Sequence, residues 1–144
     1  RHYLALHNPA VTLNEIYDVL KQVRLYDVVN ALPDGIETVL TPFGYPLSPS
    51  QILRLKLAAA LLGQPSMIIL TDIYDMISPH HWQAIQQQLL RDERFTLLYF
   101  SHRGDWDDFS HYLLITPQEQ RYVADTHALQ EARAQITREA HDVT

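Results

Sequence analysis

The sequence predicts an α/β protein in which a helical part, residues 1–64, is followed by parallel strands with flanking helices, residues 65–144. Helical patterns fill the first part, whereas the second part holds two short β-rich runs, Met67–Leu70 and 95–100, on either side of a helical pattern. Strand, helix and strand in succession are typical of a parallel α/β unit. At 144 residues the chain is long enough for one compact domain or for part of a larger one.

The residues that mark the starts of the first helices lie close to those starts in the sequence. Thr12 and Glu15 have the residue types and the spacing of a capping box, and apolar residues at helical spacing continue from there to about Leu25. A shorter helical segment is predicted over 26–32, before a turn that contains proline and glycine. Residues 36–46, with two prolines and a glycine, are predicted to form a loop.

The clearest helix start lies at Ser48. Ser48 suits the N-cap, Pro49 suits the first helical position, and Gln51 completes a capping box three residues after the cap. The helix that follows is apolar on nearly all sides, which predicts burial, and Gly63 ends it.

The second part alternates strands and helices. Met67–Leu70 and 95–100 are unbroken apolar runs, which predict strands buried on both faces. Ser78 followed by proline starts a helix between them, and its apolar face consists of Trp82, Ile85 and Leu89. Two more strands are predicted over 112–115 and 121–124, and a polar helix over 127–141.

Composition excludes several classes of protein. The formal charge of −6 argues against a nucleic-acid partner, and the absence of cysteine excludes disulfides and fits a reducing compartment. No apolar run is long enough to cross a bilayer. The four glycines form neither GxxxxGK(S/T) nor GxGxxG, so this chain lacks the usual phosphate loops. Because the chain begins at Arg1 and not at methionine, we expect a segment of a longer protein.

Six short motifs follow one another along the chain, at residues 32–38, 47–51, 57–62, 67–72, 101–103 and 126–129. In order and spacing they resemble the LPxGxxT stretch, LSGGQ signature, LARALL segment, Walker B strand, switch-histidine loop and GTHxxL of ABC transporter ATP-binding domains, especially exporters. The resemblance begins after the family's Walker A and glutamine loops. It implies the C-terminal portion of a P-loop NTPase domain of ABC type, with 1–64 as the signature subdomain and 65–144 as the C-terminal part of the ATPase core.

The resemblance implies ATP-binding roles for Ser48, Ser50 and Gln51. In the family, the signature of one subunit offers a serine hydroxyl, backbone N–H groups and a helix N-terminus to the γ-phosphate of ATP on its partner. Ser48 keeps the hydroxyl, but Pro49 removes a backbone donor and Ser50 replaces a glycine where the backbone approaches phosphate. A helix cap without phosphate contact is the simpler interpretation of the same residues.

The resemblance also implies Asp72 and His102 as catalytic candidates. Walker B normally ends in Asp-Glu, where Thr71 and Asp72 stand here, and His102 occupies the place of the switch histidine. Thr71 lacks the carboxylate, and Asp72 is one methylene shorter than glutamate. If the alignment is moved by one residue, Asp72 becomes the metal ligand and Ile73 stands in place of the base, which leaves no base. In either alignment, the part of the ATP site that this chain supplies is expected to be weak or inactive. In the simpler alternative, Asp72 and Asp75 only cap or solvate the turn after the strand. No metal site is predicted: His80 and His81 are adjacent, without the spacing of metal ligands.

We therefore expect the C-terminal segment of a degenerate ABC transporter ATP-binding subunit, which couples ATP binding or hydrolysis to transport at the cytoplasmic face of a membrane. The intact parent is expected to use ATP and Mg²⁺, whereas the segment alone is expected to need no cofactor and to be inactive. Its implied partners are a transmembrane domain, a second ATP-binding domain and the missing N-terminal half of its own domain.

Unpaired strand edges predict self-association of the segment.

Two alternative functions are compatible with the same sequence. A non-enzymatic interaction or regulatory module that keeps the ABC ATPase fold is the main alternative function. An unrelated α/β hydrolytic enzyme that uses Asp72 and His102 is a further alternative.

Overall fold

Helices form much of the first part of the chain in the computed structural model, which describes residues 1–103, 109–117 and 119–142. They are α1 (Leu13–Gln22), α2 (Tyr26–Asn30) and α3 (Pro49–Leu62), with a short 3-10 helix at Gly35–Glu37. The predicted capping box of α1 is present: the Glu15 N–H donates to Thr12 Oγ1 over 3.3 Å, and the Thr12 N–H donates to Glu15 Oε2 over 2.7 Å. Local side-chain chemistry thus sets where α1 begins.

Two pairs of strands follow, together with two more helices. They are β1 (Met67–Leu70), α4 (Pro79–Leu90), β2 (Thr96–Tyr99), β3 (Tyr112–Ile115), β4 (Gln120–Val123) and α5 (Thr126–Asp142). β1 and β2 are parallel, with Ile68 opposite Leu97, which confirms the predicted strand, helix and strand unit. β3 and β4 form a separate antiparallel pair. Among the described strands, the predicted parallel arrangement therefore applies to β1 and β2 only, because the link between β3 and β4 is too short for a parallel crossover.

Packing divides the chain into two compact units, Arg1–His102 and Arg103–Thr144. The first unit contains α1 to α4 and the β1–β2 sheet. The second unit has a small core of its own, in which Val123, Leu129 and Ala132 are buried. The subdomain boundary between residues 64 and 65 lies inside the first unit, and it stays a prediction from the family resemblance.

Among the described residues, the β1–β2 sheet is covered on one face only. Ile68 and Leu70 are 5% and 3% exposed, whereas Met67 and Ile69 on the opposite face are 53% and 57% exposed. α4 packs on the covered face, where the Trp82 and Tyr99 ring centroids lie 5.1 Å apart. The prediction of strands buried on both faces is therefore wrong for the described part of the chain, because its helices supply a single covering layer.

Candidate functional site

Asp72 and His102 meet at one end of the parallel sheet. Asp72 follows β1 and His102 follows β2, and the carboxyl ends of neighbouring parallel strands lie at the same edge. Asp72 Oδ2 and His102 Nε2 are 3.1 Å apart, within hydrogen-bond distance. Both side chains are largely open to solvent, at 56% and 87% exposed. The fold thus brings the two predicted catalytic residues together where a ligand has access to both.

Asp75 fixes the loop that carries His102. It lies in the 3-10 helix Asp72–Met76 after β1, and its Oδ1 accepts hydrogen bonds from the Tyr99 hydroxyl over 2.6 Å and the Ser101 hydroxyl over 2.7 Å. Its Oδ2 accepts from the His102 N–H over 3.0 Å. Hydrogen bonds to a carboxylate are shorter and stronger than those between neutral groups. Asp75 therefore ties the end of β2 to the turn after β1 and positions His102 beside Asp72.

The sequence alone predicts for Asp75 no more than a role in capping or solvating the turn after the first strand. The available signal was the pair of hydroxyl side chains at the end of the second predicted strand, Tyr99 and Ser101. These donors become relevant to Asp75 only when β1 and β2 are adjacent and in register.

Replacing Asp75 by alanine is expected to lower the free energy of unfolding by about 2–3 kcal/mol, because it leaves several donors without their charged acceptor. The matched control, Tyr99→Phe, removes one of those donors and is expected to cost about 1 kcal/mol. Urea denaturation followed by circular dichroism measures both. An Asp75→Ala protein no less stable than Tyr99→Phe contradicts a linking role for Asp75.

Ser48, Ser50 and Gln51 lie at the start of α3, where the predicted capping box is present. The Gln51 N–H donates to Ser48 Oγ over 3.3 Å, and the Ser48 N–H donates to Gln51 Oε1 over 2.8 Å. Pro49 has no N–H to offer. Two backbone donors are thus satisfied inside the segment and a third is missing, so the Ser50 N–H and the Ser48 hydroxyl remain as donors for an anion.

The candidate residues form two separate groups. Within the ranges that the structure describes, no hydrogen bond or ion pair connects Ser48, Ser50 or Gln51 to Asp72 or His102. None of the described helices is long and apolar enough to cross a membrane.

The known proteins that the chain resembles in sequence are ATP-binding proteins of one family. The chain is 28% identical over 114 residues to a mitochondrial potassium channel ATP-binding subunit of Mus musculus, an alignment that covers 78% of the chain and 16% of that protein. It is 30% identical over 106 residues to a putative multidrug export ATP-binding/permease protein of Bacillus subtilis, covering 72% of the chain and 18% of that protein. The chain thus spans under a fifth of the length of these curated relatives.

The fold has a clear counterpart among solved structures. A bacterial Atm1-family ABC exporter with ATP bound matches 92% of the chain and 23% of its own chain, with a TM-score of 0.76 at 18% identity. No protein-family profile matches the sequence. The sequence similarity and the shared fold together identify the chain as a relative of ABC transporter ATP-binding proteins.

Proposed function

We propose that the chain is a C-terminal segment of an ATP-binding domain that couples ATP binding or hydrolysis to transport across a membrane. The observation that carries this proposal is the meeting of Asp72 and His102 at the carboxyl edge of the parallel sheet, in a chain whose relatives are ABC transporter proteins. The parent then works at the cytoplasmic face of a membrane, with a transmembrane domain and a second ATP-binding domain as partners.

The uncovered sheet face supports a further partner within the parent. Parallel sheets are normally covered on both faces, yet Met67 and Ile69 are more than half exposed here. The curated relatives extend far beyond the matched segment. The occupant of this face in the parent is the preceding, N-terminal part of the same ATP-binding domain, which also supplies the Walker A loop.

The same geometry supports a catalytically weak half-site. Asp72 accepts a hydrogen bond from, or pairs with, His102, but its short side chain lies next to Thr71, which has no charge with which to hold Mg²⁺. At the start of α3, the capping box occupies donors that a signature segment needs for phosphate. ATP and Mg²⁺ are the cofactors of the parent, and the chain alone is inactive.

Restoring the acidic pair tests this proposal. In the intact parent, Thr71→Asp combined with Asp72→Glu is expected to raise ATP turnover about tenfold, less than the full effect of a general base because Pro49 and Ser50 remain. Phosphate release measures the rate, and adding His102→Ala to the same double variant is expected to cancel the gain.

Two results contradict the proposal. One is a rate of ATP turnover in the double variant that does not exceed the wild-type rate. The other is Mg²⁺-dependent ATP hydrolysis by the isolated 144-residue chain.

The capping box at Ser48 also favours a second candidate, a non-enzymatic regulatory module with the ABC ATPase fold. A segment in which the capping box already satisfies two backbone donors needs no phosphate to be stable. Binding of ATP to the parent discriminates between the two functions, since a regulatory module of this kind does not require the nucleotide.

A further inference from the structure

A cavity of about 510 Å³ lies between the turn that joins α1 to α2 and the start of α4. Its lining is rich in basic side chains and includes Lys21, Arg24, Tyr26, Asp27, His80 and His81. The whole protein carries a net charge of −6, so a concentration of cations at one cavity stands out against the rest of the surface.

Arg54 adds a buried cation next to this cavity. The residue is 4% exposed, and its Nη1 donates to the Arg24 carbonyl over 2.8 Å. Its Nε has no hydrogen-bond partner, and no ion pair to Arg54 occurs among the described residues. Burial of a guanidinium without a counter-ion is unfavourable, and it lowers the pKa of Arg54. An anion nearby relieves this cost.

The pKa of His81 responds to these nearby positive charges. Its pKa lies below the ordinary value, first because the ring is partly buried and then because Arg54, His80 and Arg24 repel its protonated form. Ser78 Oγ lies 2.8 Å from His81 Nδ1 and occupies that side of the ring. When Ser78 donates this hydrogen bond, the ring proton of neutral His81 is on Nε2, where it can be donated to a ligand.

Carboxylates compensate these cations only in part. Asp27 lines the cavity, and Asp18 pairs with Lys21 over 3.6 Å at an exposed position. Against these two acids stand Lys21, Arg24 and Arg54, and protonation of His81 adds to the positive charge. The local balance therefore favours an anion, and increasingly so as the pH falls and His81 takes up a proton, which its lowered pKa places below the ordinary histidine range.

We propose that this cavity binds a small oxyanion, inorganic phosphate or a phosphate monoester, through Lys21, Arg24 and His81, with Arg54 as a buried source of positive charge. Arginine and lysine are the usual partners of phosphate oxygens. The site is distinct from Asp72, His102 and the start of α3, and it does not depend on the proposed transport function.

Sulfate is a suitable first probe, because it stays dianionic while histidine titrates. Nuclear magnetic resonance of the imidazole groups in the 144-residue chain, at constant ionic strength, is expected to show saturable shifts of His81. The pKa of His81 is expected to rise on binding, and sulfate is expected to bind more tightly at about pH 5 than at about pH 8. Linear shifts without saturation, or binding that does not change with pH, overturn the site.

Arg24→Asn is the decisive variant. Arg24 has a φ of 58°, a conformation that asparagine tolerates, and the backbone carbonyl that Arg54 contacts is kept. Loss of this charge is expected to weaken sulfate binding about tenfold. Lys56→Gln removes the same charge from an exposed position on α3 and is expected to leave binding unchanged. Equal weakening in both variants, at unchanged unfolding midpoints, overturns the proposal.

Two further experiments distinguish a soluble phosphate compound from a lipid headgroup as the ligand. Saturable binding of inorganic phosphate that Arg24→Asn weakens assigns a soluble phosphate compound. Sedimentation with vesicles of phosphatidylcholine and phosphatidic acid that is lost in the same variant, and against which free phosphate competes only weakly, assigns a lipid headgroup.

Discussion

Replacing Trp82 by alanine is expected to lower the free energy of unfolding by about 3–5 kcal/mol, the range for truncating a buried aromatic side chain. Trp82 is 2% exposed, and its ring lies 5.1 Å from the ring of Tyr99. Alanine leaves a cavity between α4 and the sheet. Because the Tyr99 hydroxyl donates to Asp75, which holds the His102 N–H, the substitution is also expected to loosen the candidate catalytic loop.

Urea denaturation followed by far-ultraviolet circular dichroism measures the loss without relying on tryptophan fluorescence. Gln87→Ala, at an exposed position of the same helix, is expected to change stability by less than about 0.5 kcal/mol. Trp82→Phe keeps an aromatic ring against Tyr99 and is expected to fall between the two. A Trp82→Ala protein as stable as Gln87→Ala would contradict the placement of this ring in the core.

The helix starts were predictable because the chemistry that fixes them is local. Thr12 with Glu15, and Ser48 with Gln51, form reciprocal hydrogen bonds across three residues, so the sequence alone contains both partners. The apolar face of α4 follows from helical spacing in the same way, and Trp82, Ile85 and Leu89 are all buried.

Asp75 was not predictable as a linking residue, because its partners are distant in sequence. Tyr99 and Ser101 follow it by 24 and 26 residues, and they reach it only across the β1–β2 pairing. The family resemblance drew attention to Asp72 and His102, which do meet, but it does not specify the carboxylate that holds their loops together.

The exposed face of the β1–β2 sheet was not predictable for a different reason. An unbroken apolar run such as Met67–Leu70 is typical of a strand with a covering layer on each face, and the sequence of the run does not say whether both layers belong to the same segment. The described chain provides one layer, through α4. The apolar residues of the other face therefore indicate that a partner covers it, but the sequence of the strand does not identify that partner.

In the isolated chain, this uncovered face is expected to drive self-association. Met67, Ile69, Leu98 and Phe100 are all between 45% and 57% exposed. Ile69 pairs with Leu98 across the parallel register, so the two side chains lie on the same face. Because these side chains are already about half buried, completing the burial of each one contributes roughly 0.7–1.5 kcal/mol, and the sum over both copies favours a dimer through this face when nothing else covers it.

Replacing both Ile69 and Leu98 by lysine is expected to weaken self-association at least about a hundredfold, because two buried apolar contacts are lost and two charges are added. Sedimentation velocity over a concentration series measures the change. Leu113→Lys is the matched control: Leu113 is 57% exposed, but it lies on the antiparallel hairpin of the other unit. A wild-type chain that stays monomeric at high concentration, or a control that dissociates as fully as the double variant, would show that the uncovered sheet face does not drive association.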